Sequence, residues 1–403
     1  MKIFVPLFLW HLTPQLVLRG FTGMKKTSIK FPLLIKHGCG LDVHKSVVVA
    51  TVLNFGGLCE SKSFGCFTQD LYALRDWLLS HQISHVAMES TSVYWKPIFN
   101  VLEPHFEVLL VNARHIKHVP GKKTDQKDSE WIAQLLISGL LENSFIPPQK
   151  TRELRDLSRY RRKVQRQLSA EKNRIHKQLQ DANIKLSCVI SDLFGQSGRR
   201  MLQAMAAGET SAEQLAAMAS KRIKAEPQAL TQALTGCIRP HHVFMLEMHL
   251  ANIQYFSATL EKIDARMDEL LADARQACDL LESIPGVCRP TLRSILAEIG
   301  TDMSVFPDQH QLASWAGMCP GNHVSAGKSY HSRARPGNRA LKTTLMEAAW
   351  AAVATKNSWF RAKYLRMTQR MGKKKALFAI AHKLLTTAYM LLKEQQPYRP
   401  MEY

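Results

Sequence analysis

Several things are scarce in these 403 residues, and each scarcity closes off a class of protein. Acids are few: 33 Asp and Glu stand against 54 Lys and Arg, for a formal charge of +21. Such a balance argues against a basic partner and favours a polyanion, because each phosphate neutralised by a cation releases condensed counterions. Ribosomal and membrane-surface proteins share the bias, so charge narrows the partner without naming it. Paired cysteines are missing. Cys39, Cys59, Cys66, Cys188, Cys237, Cys278, Cys288 and Cys319 are scattered, with no CxxC and no zinc-finger spacing, as expected of reduced thiols in a cytoplasmic protein. Long apolar runs are missing too, since no stretch approaches the roughly 18 residues of a membrane span. The apolar start is interrupted by His11, Pro14 and Gln15 and lacks a small-x-small cleavage site, which argues against export. Met24 opens MKKTSIKFPLL, and we expect residues 1–37 to be an N-terminal extension, with Met1 and Met24 both open as the start. No internal repeat or low-complexity tract is evident. What remains is 46% hydrophobic, enough for sizeable cores in two or three domains.

The chain changes texture along its length. Residues 39–67 hold three short β-rich runs, GLDV, SVVVATVLN and LCESKSFGCF, separated by turn residues. LYALRDWLLSH then has helical spacing, HVAMES reads as strand, YWKPIFNVLEPH as helix and EVLLVNA as strand again. Three strands followed by α, β, α, β is the order of an RNase H-like α/β fold. A basic loop leads to TDQKDSEWIAQLL, where Thr124 can cap a helix with an apolar face of Trp131, Ile132, Leu135 and Leu136. This first domain, 38–148, ends near Pro147 and Pro148. From 149 to 281 apolar residues recur at threes, fours and sevens. Leu154, Leu157, Val164, Leu168, Ile175 and Leu179 mark one long helix, and Leu246 through Leu270 a second over about 241–281, with a helical tip between. We expect an antiparallel, coiled-coil-like arm. Its first helix crowds Arg152, Arg155, Arg159, Arg161, Arg162, Lys163 and Arg166 together, either as a solvated face or as phosphate contacts. A mainly α domain, 282–396, opens on an Ile-Pro-Gly-Val turn that reads as a helix-hairpin-helix or as plain packing. Residues 397–403 form a tail.

Four carboxylates fall where the first domain would gather them. Asp42 lies in the first strand, Glu89 ends a later one, and Asp125 and Asp128 are three apart at a helix start, on one face of its first turn. Phosphodiester chemistry explains such a cluster. Two hard cations about 4 Å apart activate the attacking oxygen and stabilise the leaving one, and hard cations prefer carboxylate oxygens. Singly, each acid has a plain reading as turn residue or helix-dipole partner. Lys122, Lys123 and Lys127 would lie near a scissile phosphate or serve as surface charge.

A second candidate site is SWAGMCPGNHVSAGKSYHSRARPGNRALK. Ser325 sits between Gly321 and Gly327, with Lys328, Arg333, Arg335, Asn338, Arg339 and Lys342 close by. Glycines let a phosphate approach and guanidinium groups stabilise charge that builds during attack. From the residues alone, phosphate contact and nucleophile both remain open for Ser325. A basic run, Arg361, Lys363, Arg366, Arg370, Lys373, Lys374 and Lys375, extends the charge toward the carboxyl end.

GLDVHK, MESTSVYWKP, VPGKKTDQKDSEWIAQLL, IPGV, LASWAGMCPGNHVSAGK and KKKALFAIAHKLL together resemble the DEDD transposases of the insertion sequence 110 family, its 1111 subgroup in particular. The resemblance runs from about 38 to 396. It implies a RuvC-like DEDD domain with Asp42, Glu89, Asp125 and Asp128 as a tetrad holding Mg²⁺ or Mn²⁺, and a carboxyl-terminal transposase domain with Ser325 as nucleophile. It further implies a bacterial, nucleoid-associated enzyme that cuts and rejoins DNA at element ends and target through a phosphoserine link. A structured noncoding bridge RNA would supply sequence choice by base pairing, which fits the want of a base-reading helix. Two DNA partners held together imply a homodimer or tetramer, with no membrane. Rival readings are a Holliday-junction-resolvase-like hydrolytic nuclease using the tetrad alone, and a non-catalytic nucleic-acid-binding protein.

Overall fold

The structure is a computed structural model that describes residues 35–54, 59–90, 93–112, 125–141, 143–221, 223–319, 323–325, 328–331, 334 and 336–400. The chain forms two compact units, dividing between Ile146 and Pro147.

The first unit is built on a five-stranded sheet: β1 (His37–Val43), β2 (Val47–Asn54), β3 (Cys59–Gly65), β4 (His85–Glu89) and β5 (Glu107–Val111), in the order β3-β2-β1-β4-β5. β1 runs antiparallel to β2 and parallel to β4, so the sheet is mixed. The period-2 alternation of strands sorts its residues into two faces. Cys39, Leu41 and Val43 of β1 join Val86 and Met88 of β4 in one core, closed by Leu71, Leu74 and Leu78 of α1 (Thr68–Ser80) and by Ile98 and Leu102 of α2 (Trp95–Leu102). On the opposite face Ala87 and Val111 pack with Ile132 and Leu136 of α3 (Asp125–Ile137). Helices on both faces and this element order are compatible with an RNase H-like α/β domain.

The second unit is mostly helical. α4 (Gln149–Asp181) and α9 (Pro240–Leu270) lie antiparallel, joined by the short helices α5 (Leu186–Val189), α6 (Gln196–Ala206), α7 (Ala212–Ala217) and α8 (Pro227–Leu234). Polar pairs cross between the two long helices at matched heights: Arg161 with Asp264, Glu171 with His249 at 2.8 Å and Asp181 with His242 at 2.7 Å. Glu171, His242 and His249 are buried. Contrary to the single helix expected over 241–281, α9 stops at Leu270. A 3₁₀ turn (Ala272–Ala274) then leads into α10 (Arg275–Glu282). The apolar spacing continues through the break, but buried Cys278 and Leu281 now serve a different core, against α11 (Arg289–Ile299) and α15 (Lys373–Glu394).

That core also receives α12 (Gln309–Trp315), α13 (Arg339–Ala354) and α14 (Trp359–Met371). The expectation of no membrane-length apolar stretch needs correcting here. α15 is long and apolar enough to cross a membrane by length and composition, yet 67% of its apolar window is buried inside the unit. Its Tyr389 is 1% exposed and donates its hydroxyl to the Phe306 carbonyl at 2.9 Å. The Ile-Pro-Gly-Val turn lies between α10 and α11. Gly286 there has φ +86°, and a Cβ on it would come 2.3 Å from the Ala352 amide nitrogen of α13. Close helix approach therefore accounts for this glycine.

Candidate active site

Two glycines in β1 bring an acidic helix start onto the sheet. A Cβ on Gly38 would meet Leu136 of α3, and one on Gly40 would come 2.2 Å from the Ser129 carbonyl oxygen and 2.4 Å from the Ala133 nitrogen. At Gly40 only hydrogen fits, so α3 lies directly on the strand, and the pairing order shows that it runs antiparallel to β1. Two residues further up the strand, about 6.6 Å, is Asp42. One turn down the helix from Ser129, about 5.4 Å, is Asp125. Both steps lead to the same end of the sheet. A buried hydroxyl chain pins the junction, with Thr51 of β2 hydrogen-bonded to Ser61 and to Ser129, each at 2.7 Å.

Glu89 arrives by strand register. Leu41 is level with Met88 in the parallel β1–β4 pair, so the next step sets Asp42 beside Glu89, on strands about 4.8 Å apart. Alternation places Gly38, Gly40 and Asp42 on the α3 face of β1, and Ala87 and Glu89 on the α3 face of β4. Two of the four carboxylates thus share an edge and a face. Asp128, exposed, and the backbone of Asp125 occupy the first turn of the helix laid over that face. The side chain of Asp125 lies outside the described residues, as do Lys122 and Lys123.

The sequence reading passed over His44. Its Nε2 stands 3.1 Å from Asp42 Oδ2, while the Asp42 side chain is only 17% exposed. GLDVHK carries the signal, because residues two apart near a strand end share a face. Among the described residues, no three His, Cys, Asp or Glu side chains already form a metal cage. The donors that share this end are nevertheless carboxylates, the chemistry that Mg²⁺ and Mn²⁺ prefer, and their placement fits a divalent cation.

In the second unit, Ser325 closes strand β6 (His323–Ser325), paired antiparallel with β7 (Lys328–His331), so Ser325 is level with Lys328 across the hairpin. The side chains of Ser325 and Lys328, and Arg333 and Arg335 altogether, lie outside the described residues. Asn338 is engaged at both ends of its amide. Its Oδ1 accepts from Leu341 N at 3.1 Å, capping α13, and its Nδ2 donates to Glu298 Oε2 at 2.6 Å. Arg339 is exposed at the start of α13, and Lys373, Lys374 and Lys375 are exposed in the first turn of α15.

The basic helix α4 is neither a plain solvated face nor simply free for phosphate. Arg159 forms a two-pronged bond to Glu298, at 3.0 and 3.1 Å, and Arg155 pairs with the same acid at 3.1 Å. The Glu298 side chain is 2% exposed. Arg155 also donates to the carbonyls of Ala297 and Glu298, and burial lowers its pKa from the usual guanidinium value. Arg161 grips Asp264 at 2.6 and 2.9 Å, and Arg162 reaches the Ala340 carbonyl and the Thr344 hydroxyl. Composition could not separate these inward forks from outward cations.

A family model for DEDD transposases of the IS110 type, described as "Transposase", matches residues 39–184, and one described as "Transposase IS116/IS110/IS902 family" matches residues 278–365. Pilin gene-inverting proteins of Moraxella bovis and Moraxella lacunata are each 30% identical over 154 residues, covering 36% of this chain and 47% of theirs. The transposase for insertion sequence element IS1111A of Coxiella burnetii (strain RSA 493 / Nine Mile phase I) is 31% identical over 137 residues, covering 32% of this chain and 36% of its own. The matched stretches therefore span less than half the length of these relatives. Both halves of the chain answer to one family, and the carboxylates and the serine fall within the matched segments: the chain belongs to the IS110 family of transposases.

Proposed function

We propose that the protein is a DNA transposase of recombinase type, cutting and rejoining strands at element ends and target. The observation that carries this reading is the convergence of Asp42, Glu89 and the first turn of α3 on one end and one face of the sheet. In this reading the first unit is a RuvC-like, RNase H-like domain, and Asp42, Glu89, Asp125 and Asp128 hold Mg²⁺ or Mn²⁺. When bound, the ion stabilises negative charge on the phosphate oxygens during transfer. The protein's own groups do the rest. His44 orients the Asp42 carboxylate, and the Thr51–Ser129 bond fixes the helix that carries Asp125 and Asp128.

Ser325 is the nucleophile. Its Oγ forms a bond to phosphorus as the bond from phosphorus to the departing sugar oxygen breaks, and the serine proton ends on that oxygen. Attack by the hydroxyl of an incoming strand reverses the step, restores the serine and joins the new strand, so no free double-strand break is needed. The arm formed by α4 and α9 assembles a homodimer or tetramer as a coiled coil. Target choice comes from a noncoding bridge RNA paired with DNA, consistent with charge that is abundant but not arranged as a base-reading helix. The nucleoid of a bacterial cytoplasm is where such a protein would work.

Ser325→Ala in the full chain tests the reading, scored by covalent protein–DNA adducts on element-end DNA after denaturation. Adducts with the wild type and none with the variant support it. Strand cleavage that persists without adduct in both proteins would instead identify a hydrolytic nuclease that uses the carboxylates alone. Full recombination by Asp42→Ala would remove the metal site from the account.

A further inference from the structure

The second unit contains a cleft that no role above requires. A hollow of about 700 Å³ lies between α4 and the start of α13, lined by Arg155, Arg159, Arg162, Arg166, Asn338 and Arg339, with Trp315 and Gly337 at one margin. Two smaller hollows, of about 130 and 390 Å³, share Arg162 and Arg166 with it and extend it along α4 as far as Asn173. From Arg155 to Asn173 the helix rises roughly 27 Å, at about 1.5 Å per residue. Trp315, the last residue of α12, and Gly337, two residues before α13, both line that margin.

The arginines of this cleft are of two kinds. Arg155 and Arg162 are turned into the fold, holding Glu298, backbone carbonyls and Thr344. Arg166 and Arg339 are exposed, and among the described residues neither guanidinium has a hydrogen bond or ion pair. Arg159 lies between, bonded to Glu298 yet half exposed. Across the three hollows seven cations stand against two acids, Glu298 and Glu347, which leaves a strong positive excess. A fold that turns some arginines inward and leaves others exposed along an open trough is suited to a chain of phosphates, where planar guanidinium forks make charge-assisted contacts.

We propose that this groove holds the sugar–phosphate backbone of a nucleic-acid strand, with Arg166 and Arg339 as its phosphate contacts and Arg155 and Arg162 as their scaffold. The inference rests on the functional reading above for its ligand class, and it adds a binding site that the reading does not need.

The test uses the full-length protein and a fluorescein-labelled oligothymidylate of about 20 nucleotides, with oligouridylate in a parallel arm, followed by anisotropy across a salt series. Two lost single-strand phosphate contacts should lower the salt slope by about 1.4 and weaken binding about 25-fold near 0.1 M salt. Arg166→Gln with Arg339→Gln should show that loss. Arg166→Lys with Arg339→Lys, which keeps the charge, should recover most of it. Lys221→Gln with Lys262→Gln, two exposed lysines elsewhere in the unit, serves as the charge-matched control. A loss below about fivefold in the glutamine pair, or an equal loss in the control, overturns the proposal. Weakening for only one oligonucleotide supports it and identifies the strand as DNA or RNA. If the groove variants lose binding while wild type forms no adduct, the groove stands and the serine mechanism falls. If wild type and the groove variants form adducts and bind alike, the reverse holds.

Discussion

Gly40 lies against the backbone of Ser129 so tightly that a single added carbon would stand 2.2 Å from its carbonyl oxygen. This contact decides where Asp125 and Asp128 are delivered, because α3 has no other way to sit flat on β1. Gly40→Ala should push the helix off the strand, destabilising the first unit by about 1–3 kcal/mol. Calorimetric titration with Mg²⁺ should show weakened binding in protein that is still folded. Unchanged melting and unchanged titration would mean that α3 docks elsewhere.

Gly286 presents a similar problem in the second unit, with the added burden of φ +86°. Gly286→Ala would set a methyl 2.3 Å from the Ala352 nitrogen and strain the turn as well. Thermal unfolding should shift by the equivalent of about 2 kcal/mol or more. If the variant instead melts normally and loses only nucleic-acid affinity, the turn acts as a phosphate-binding hairpin rather than as packing.

Glu298 has Arg155, Arg159 and Asn338 on its carboxylate while only 2% of its side chain is exposed. Removing the acid leaves buried positive charge without compensation. Glu298→Ala should cost about 3–5 kcal/mol in chemical denaturation, and pairing it with Arg155→Met should cost less than the sum. Additive losses would show that the cluster is not coupled.

The Asp268 carboxyl is held below its usual range, first by the hydrogen bond from Arg293 and then by the charges of Arg293 and Arg289. A depressed folded pKa adds stability that is present above the unfolded value, near 3.9, and is lost as pH falls through the folded one. Melting temperature should therefore drop steadily in acid. Asp268→Asn should make that drop shallower below about pH 5, leaving the slope from other depressed acids such as Asp181. An unaltered acid profile would rule out a contribution from this pair.

Much of the first unit could be read in advance because its strands alternate cleanly and its two strand acids sit at run ends. Asp42 and Glu89 could be placed on strands from their neighbours alone. Their adjacency could not, since register between β1 and β4 depends on tertiary pairing between positions 47 residues apart. The role of Gly38 and Gly40 was equally hidden, as small residues in a strand read as weakness until the helix above them is seen. In the second unit, the heptad-like spacing marked the long helices but not the break after Leu270, where the apolar period carries on into a different core. The arginines of α4 were the hardest to judge. A sequence counts each as one cation, whereas the fold turns Arg155, Arg161 and Arg162 toward its own acids and carbonyls.

The paired helices α4 and α9 carry two polar locks, buried Glu171 with His249 and exposed Asp181 with buried His242, ten residues apart on one helix and seven on the other. Sliding either helix by a heptad would preserve the apolar seam but leave the buried imidazole of His249 without its acid. Length changes among descendants of this gene are thus confined to the tip beyond Asp181 and before His242, or must arrive in both helices at once.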